Sequence, residues 1–97
     1  MYSIDIQSPE FMKYLERGER EAFQQLFETY HKALCFFAAR IVRDHSEAED
    51  IVQDVFIRLW EKKAEYDKIP DFRTFLYVAV RNLCYNYLRD KKKTIDF

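Results

Sequence analysis

The chain contains very little glycine: Gly18 is its only one in 97 residues, and there are only two prolines. Tight turns depend on glycine, so a turn-rich β-sandwich or β-barrel is disfavoured. Loops that cradle a nucleotide phosphate need several glycines to bring backbone N–H groups close, which disfavours a nucleotide-loop enzyme. Apolar residues nevertheless make up 48% and aromatic residues 18% of the chain, a composition typical of one folded domain.

Long hydrophobic runs and cysteine motifs are absent as well. No segment approaches the ~18 consecutive apolar residues of a membrane span, and the first residues lack the basic stretch and apolar run of a signal peptide. The two cysteines, Cys35 and Cys84, form no C-x-x-C motif and lie among apolar residues, which predicts buried thiols of a reduced, intracellular protein. We therefore expect a cytoplasmic protein with no membrane insertion.

The sequence also lacks the residue spacings of a catalytic or metal site. The two histidines, His31 and His45, have no evident carboxylate or cysteine partner at ligand spacing, so no metal site is expected. No Ser/His/Asp or Cys/His nucleophile arrangement can be inferred, and carboxylate pairs such as Asp50 and Asp54 lie on a predicted exposed helix. We expect a protein that is not an enzyme and that has no cofactor.

Apolar side chains recur every three or four residues through most of the chain, which indicates helices rather than strands. Ser8 before Pro9 predicts the start of a short first helix, and Gly18 predicts its end because glycine readily takes the left-handed conformation. A second helix is expected over about residues 19–42, where apolar residues follow the helical period.

The third helix is predicted to begin at a capping box formed by Ser46 and Glu49. A polar connection over residues 61–70 follows it, and Asp71 is the predicted N-cap of a fourth helix that runs into the final lysines. These segments predict an all-α fold, a compact bundle of three long helices plus a short N-terminal helix. One domain fills the chain, with its core at about residues 11–93.

Charge is distributed unevenly, although the formal net charge is −1. Residues 1–72 carry ten basic and 15 acidic side chains, whereas residues 73–93 carry six basic and one acidic. Residues 44–54 contain no Lys or Arg and hold five acids, namely Asp44, Glu47, Glu49, Asp50 and Asp54. Acidic residues near a helix N-terminus favour the macrodipole, so a solvated helix face is the simpler interpretation and a docking surface is the alternative.

Aromatic and basic residues alternate along the predicted fourth helix. One row recurs every four residues, shares a helix face and adjoins Asn82; its members are Arg73, Tyr77, Arg81, Tyr85 and Arg89. Such a row can neutralise phosphates and stack bases, but tyrosines also commonly cover a core edge with their hydroxyls in water, and both interpretations stay open. The connection is either a linker or a recognition loop, and it carries Lys62, Lys63 and Lys68.

Three stretches taken together resemble a known family. They are Gly18-Glu19 followed by Ala22-Phe23; AEDIVQDVF at 48–56 with Leu59-Trp60; and FRTFLY at 72–77 with Arg81-Asn82 and Tyr87-Leu88-Arg89. The second and third stretches, in this order and about twenty residues apart, are specific. The chain resembles region 2 of bacterial RNA polymerase sigma factors, of the extracytoplasmic-function group, from about residue 11 to residue 93.

The resemblance implies a docking surface for RNA polymerase. In that family, the helix that matches the third segment docks on the clamp helices of the largest subunit of the polymerase core. The positions that match the polar docking residues are Asp50, Gln53 and Asp54, and those that support them are Phe56, Leu59 and Trp60. An anti-sigma factor is a further partner that the family implies.

The resemblance also implies a DNA-binding surface. In that family, the connection and the fourth helix open the promoter −10 element and hold its non-template single strand, with flipped bases against the loop. The positions that match strand-facing residues are Phe75, Tyr77, Val78, Arg81 and Asn82. With the loop lysines and the basic row, the predicted DNA-binding residues also include Lys62, Lys63, Lys68, Arg73, Tyr85 and Arg89.

The chain departs from the family pattern at several positions. Asp54 stands where the family usually has Glu, Phe75 where it often has Trp, and Val78 where a polar residue is common. The predicted loop lacks the glycine that is frequent in relatives. Members of the family carry a second helical domain, region 4, that reads the −35 element. We expect region 4 to be absent from this chain, which would then be either an excised domain, the interpretation we favour, or incomplete as a promoter reader.

Two other functions compete with this interpretation. A helical protein-interaction module without DNA binding would use the acidic helix alone and leave the lysine-rich end solvated. A helix-turn-helix protein that binds duplex DNA is disfavoured, because the connection of about ten residues is longer than the 3–4-residue turn of that motif. Retention of single-stranded DNA separates the first alternative from a sigma factor domain.

Overall fold

The computed structural model describes residues 9–62, 69 and 71–95 and contains four helices within them. They are α1 (Pro9–Glu16), α2 (Arg20–Val42), α3 (His45–Glu61) and α4 (Phe72–Ile95). The described part of the chain contains no strand. This confirms the predicted all-α bundle of three long helices and one short helix. The predicted cap Ser8 lies outside the described residues, as do Lys63 and Lys68 of the connection.

A sharp turn at Gly18 joins α1 to α2, as its position predicts. Gly18 has φ 73°, a left-handed conformation that costs glycine little. Its N–H donates to the carbonyl of Leu15 at 2.9 Å, and the N–H of Glu19 donates to the carbonyl of Tyr14 at 3.1 Å. The turn satisfies carbonyls at the end of α1 and directs α2 back along the bundle.

The junction between α2 and α3 corrects the predicted helix start. Arg43 ends α2 with φ 57°, and its N–H donates to the carbonyl of Ala39 at 2.8 Å. Asp44 is the N-cap of α3, because its Oδ1 accepts a hydrogen bond from the N–H of Glu47 at 3.1 Å. The predicted capping box of Ser46 and Glu49 is therefore wrong: Asp44 caps the helix two residues earlier, and Ser46 lies inside the first turn.

Helix α2 is the central element of the core. Its buried residues recur every four positions and are Ala22, Leu26, Tyr30, Leu34, Ala38 and Val42. They pack against α1, α3 and α4, which bury the apolar stripes that the sequence predicts. Phe11 of α1, Leu59 of α3 and Leu76 of α4 are almost completely buried. Truncating such a core leucine to alanine typically costs ~2–5 kcal/mol, so this stripe fixes the relative positions of the helices.

The two cysteines differ in burial. Cys84 is buried, as predicted, but Cys35 is only half-buried, and both are free thiols. Burial raises the pKa of both thiols, and the nearby Glu49 carboxylate adds to the shift at Cys35. The Sγ of Cys35 lies 3.6 Å from Nε2 of His31, one helical turn earlier. The expectation that His31 has no cysteine partner is therefore wrong, although two side chains do not make a metal site.

Candidate nucleic-acid and protein interfaces

The outward face of α3 carries the three predicted polar docking residues. Asp50 and Gln53 are exposed, and the Asp54 side chain is 45% exposed. Asp54 Oδ2 forms an ion pair with Nη2 of Arg58 at 3.0 Å, one turn further along α3. An ion pair this exposed contributes little to stability, so the Asp54 carboxylate can exchange Arg58 for a partner at little cost.

The three apolar residues predicted to support the polar row lie beneath that face or at its edge. Phe56 and Leu59 are almost completely buried in the core, so they support the polar row from below. Trp60 is half-buried and packs edge-on against Phe23 of α2, with ring centroids 4.9 Å apart. Phe56 also contacts Phe23 and Phe27, at 6.1 and 4.9 Å. These residues hold α3 against α2 and so position the polar row.

An apolar groove of about 420 Å³ adjoins the polar row between α2 and α3. Its lining includes Gln53 and Trp60, together with Arg20, Phe27 and Ile57, which sequence reasoning did not assign to a site. Ile57 is exposed although it is large and apolar. In the sequence, its position off the core stripe of α3 was the signal for a site, because an apolar side chain that stays exposed adds no buried surface to the core.

On α4, the aromatic and basic row is partly fixed by packing. The guanidinium of Arg73 lies 5.3 Å from the ring centroid of Tyr77, and the Tyr77 ring packs edge-on against Phe37 of α2 at 5.0 Å. Tyr77 is half-buried, so it covers the core edge and also borders the surface. Arg81 and Tyr85 are exposed, and Arg81 Nη2 donates to Oδ1 of Asn82 at 3.4 Å.

The predicted DNA-binding residues of α4 do not form a single site. Phe75 and Tyr77 are two positions apart, which places them roughly 200° apart around a helix of 3.6 residues per turn. Phe75 and Asn82 face the α3 side, whereas Tyr77 faces α2. Val78 is exposed between them, and Arg89 is exposed near the end of the helix. The predicted residues thus cover the exposed half of α4 and reach both of its edges.

A cavity of about 300 Å³ lies between α3 and α4 at the edge that carries Asn82. Its polar lining comes from Arg58, Lys62, Asn82 and Asn86, and Phe75 provides an aromatic wall. Sequence reasoning missed Arg58 and Asn86. The signal for Asn86 was its spacing of four residues from Asn82, whereas Arg58 enters the site only through the packing of α3 on α4.

Asp71 fixes the start of α4, one turn before Phe75. Its Oδ1 accepts hydrogen bonds from the N–H groups of Arg73 and Thr74 at 3.0 and 3.5 Å, and Thr74 Oγ1 donates to Oδ2 at 2.9 Å. The hydrogen bond from the Thr74 hydroxyl is the main reason why the pKa of Asp71 lies below its ordinary value. Asp71 is thus the N-cap that the sequence predicts, and its carbonyl accepts a hydrogen bond from the N–H of Phe75 at 3.0 Å.

Other kinds of site are not evident in the residues that the structure describes. They contain no group of three or more His, Cys, Asp or Glu that could hold a metal ion. None of the described helices is long and apolar enough to cross a membrane. The surfaces that remain are the polar row and groove on α3 and the basic, aromatic face of α4.

Comparison with known proteins identifies the family. The family model of Sigma-70 region 2 matches residues 26–94. The chain belongs to this family. It is 31% identical to the ECF RNA polymerase sigma factor SigW of Bacillus subtilis over 81 residues, and this match covers 84% of this chain and 43% of that protein. It is 32% identical over 75 residues to SigX of the same organism, covering 77% of this chain and 38% of that protein.

A more distant relative agrees with this assignment, and a solved structure shares the fold. The RNA polymerase sigma-H factor of Pseudomonas aeruginosa is 28% identical over 82 residues, and the match covers 84% of this chain and 42% of that protein. This sigma region 2 chain therefore spans less than half the length of these three relatives. An NMR structure of an engineered region 2 of sigmaE in complex with GTAAAA shares the fold, with a TM-score of 0.79, 23% identity and 100% coverage of both chains.

Proposed function

We propose that this sigma region 2 domain docks on the core of RNA polymerase in the cytoplasm and holds the non-template single strand of the promoter −10 element. The observation that carries the proposal is the α3–α4 cavity, where Phe75, Asn82 and Asn86 lie beside Arg58 and Lys62. An aromatic wall, two amides and two cations are the groups that stack a base, read its edge and neutralise its phosphates.

Strand capture by this surface favours melting of the promoter. An unpaired base gains stacking and polar contacts that a paired base cannot reach. Stacking on an aromatic side chain contributes roughly 1–3 kcal/mol per base, whereas a duplex stacking step contributes ~1.4 kcal/mol. Capturing a few bases therefore offsets the opening of a short, A/T-rich stretch, and no covalent chemistry or cofactor is needed.

Docking on the polymerase uses an acidic surface, in contrast to the basic surface that holds the strand. Asp50, Gln53 and Asp54 present acidic and amide groups to the clamp helices of the largest subunit, and the neighbouring groove offers Ile57 and Trp60 as apolar contacts. An acidic patch attracts a basic partner and suppresses association with DNA, so polar contacts fix the orientation of the complex. An anti-sigma factor that covers either surface would block the same function.

The test of this function is strand retention by a complex with polymerase. The 97-residue chain is combined with core polymerase of Bacillus subtilis, the source of two relatives, and with fluorescent non-template or template oligonucleotides that contain GTAAAA or its complement. We expect the chain and core together to retain the non-template strand and to leave the template strand in solution. Binding to core with no retention of either strand would instead support a protein-interaction module.

A further inference from the structure

A second basic and aromatic row lies on α2, next to the proposed strand-binding face. Phe36 is 67% exposed, the largest value among the exposed large apolar residues that the structure describes. Lys32 and Arg40 lie four residues before and after it, so the three side chains share one face of the helix. Burial does not explain an exposed phenylalanine between two cations.

A groove connects this row to α4. The groove has a volume of about 1030 Å³, and its lining includes Lys32, Phe36, Arg40, Phe37 and Tyr77. Phe37 and Tyr77 form its wall through their edge-on ring contact at 5.0 Å. The Arg73 guanidinium covers the Tyr77 ring from α4, which places a third cation beside the same wall. The groove therefore continues the basic, aromatic surface of α4 onto α2.

The charges in the groove favour a polyanion over a protein partner. Within the described part of the chain, neither Lys32 nor Arg40 forms an ion pair, so both cations are available to phosphates. The acidic residue of the lining is Glu28, whose carboxylate accepts a hydrogen bond from Gln24 at 2.9 Å. Cations on both sides of an accessible aromatic ring match the alternation of phosphates and bases along a single strand.

We propose that the groove between α2 and α4 holds nucleotides that flank the segment bound by α4, with Phe36 stacking a base and Lys32 and Arg40 contacting phosphates. This inference rests on the proposed function, because the strand reaches the groove from the face of α4. The chemical class of ligand is single-stranded DNA without a sequence requirement, since stacking on an aromatic ring accepts every base.

Oligonucleotide length provides the test. Fluorescence anisotropy is measured for the 97-residue chain with the hexamer GTAAAA and with two dodecamers that add six thymidines at its 5′ or 3′ end. We expect one dodecamer to bind more tightly than the hexamer. Phe36→Ala should weaken the binding of that dodecamer about tenfold and leave the binding of the hexamer unchanged. Lys32→Gln with Arg40→Gln should reduce the slope of log K against log salt by about 0.7 per contact for that dodecamer only.

Matched controls distinguish the groove from general effects. Lys13→Gln and Arg17→Gln each remove an exposed cation outside the groove, and neither should change the gain from lengthening. Equal binding of hexamer and dodecamers, or a gain that survives in the groove variants, overturns the inference but leaves the proposed function intact. Failure of the wild-type chain to bind any of the three oligonucleotides contradicts both. Groove variants that no longer bind core polymerase but still bind the dodecamer would show that the groove contacts a protein, and would overturn the inference.

Discussion

The outward faces of α3 and α4 differ in charge, in side-chain type and in how they relate to the core. The α3 face presents Asp50 and Asp54 beside an apolar groove, whereas the α4 face presents Arg81 and Tyr85 between two edges that carry aromatic rings. Both helices bury one apolar stripe against α2, so the core is common to the two faces. Two partners of opposite character can therefore bind one small domain without competing for the same residues.

The proposed function requires this separation, because the chain has a net charge of −1. Its overall charge provides no general attraction to nucleic acid, so the basic face must act locally and at short range. In the proposed function, docking on the polymerase brings that face to the promoter, and its contacts then select the single-stranded state. The difference between the two faces predicts that polymerase binding and strand binding can each be disabled without loss of the other.

The largest effect is expected from removing the polar row on α3. Replacing Asp50, Gln53 and Asp54 together with alanine should abolish pull-down of core polymerase, because all direct polar contacts of that row are lost. Exposed substitutions of this kind usually change stability by less than ~0.5 kcal/mol, so the fold should survive. Pull-down and circular dichroism measure the two properties.

A matched control for this variant lies on α2. Glu21, Gln24 and Glu28 are also exposed and also comprise two acids and one amide. Their replacement with alanine removes the same charge from a different face and should leave core binding unchanged. A folded α3 variant that binds core as strongly as the wild type would contradict the assignment of docking to α3.

An intermediate effect is expected from adding charge to the α3–α4 cavity. Asn82→Asp and Asn86→Asp each place a carboxylate where a base edge and phosphates are proposed to lie. Each should weaken binding of a −10-like single strand by about tenfold, because a lost polar base contact contributes ~1–3 kcal/mol. Anisotropy measures this loss, and core pull-down should not change.

Gln24→Glu is the control for these two variants, because it makes the same amide-to-acid change on exposed α2. It should not affect binding of the hexamer GTAAAA. Equal losses for Gln24→Glu and Asn82→Asp would mean that general charge, rather than the cavity, determines affinity. That result would remove the cavity from the proposed mechanism.

The smallest effect is expected at the start of α4, where Asp71 caps the helix. The unfolded chain protonates this carboxyl near its ordinary pKa of 3.8, whereas the folded chain holds the pKa lower. Its stabilising contribution is therefore complete above the ordinary value and is lost as the pH falls through the folded pKa. Asp71→Ala should lower Tm at neutral pH, and the difference from wild type should shrink at acidic pH.

Thermal unfolding followed by circular dichroism between pH 7 and pH 2 checks this prediction. Asp71→Asn should retain most of the stability at neutral pH, because asparagine also caps helices well. Asp50→Ala, which removes an exposed aspartate from α3, should show no comparable loss. A constant Tm difference between wild type and Asp71→Ala across the whole range would contradict the role of the ionised carboxylate.

Much of the fold could be predicted from local chemistry. The single glycine marks the turn between α1 and α2, and Asp71 marks the start of α4, because each conformation or hydrogen bond suits that residue type. The cap of α3 was mispredicted because Asp44 and Ser46 are both good caps two residues apart. The choice depends on the left-handed Arg43 before them, which the sequence does not reveal.

The sites could be predicted only as residue types. Helical spacing alone could have separated Phe75 from Tyr77, since they lie on opposite edges of α4. The contact between Tyr77 and Phe37 and the entry of Arg58 into the cavity depend on how α4 packs against α2 and α3. Helix packing brings together side chains that are distant in sequence, and no local pattern records it.

The proposal that α4 holds single-stranded DNA is best checked by the salt dependence of binding. We expect the 97-residue chain to bind a −10-like single strand weakly and to have poor affinity for the duplex. With about four phosphate contacts, the slope of log K against log salt should be near −3. Arg81→Gln should flatten the slope by about 0.7. Tyr77→Leu should weaken binding without changing the slope, and Asn82→Ala should reduce discrimination among bases. If all three variants match the wild type, with and without core polymerase, α4 is not the strand-binding face.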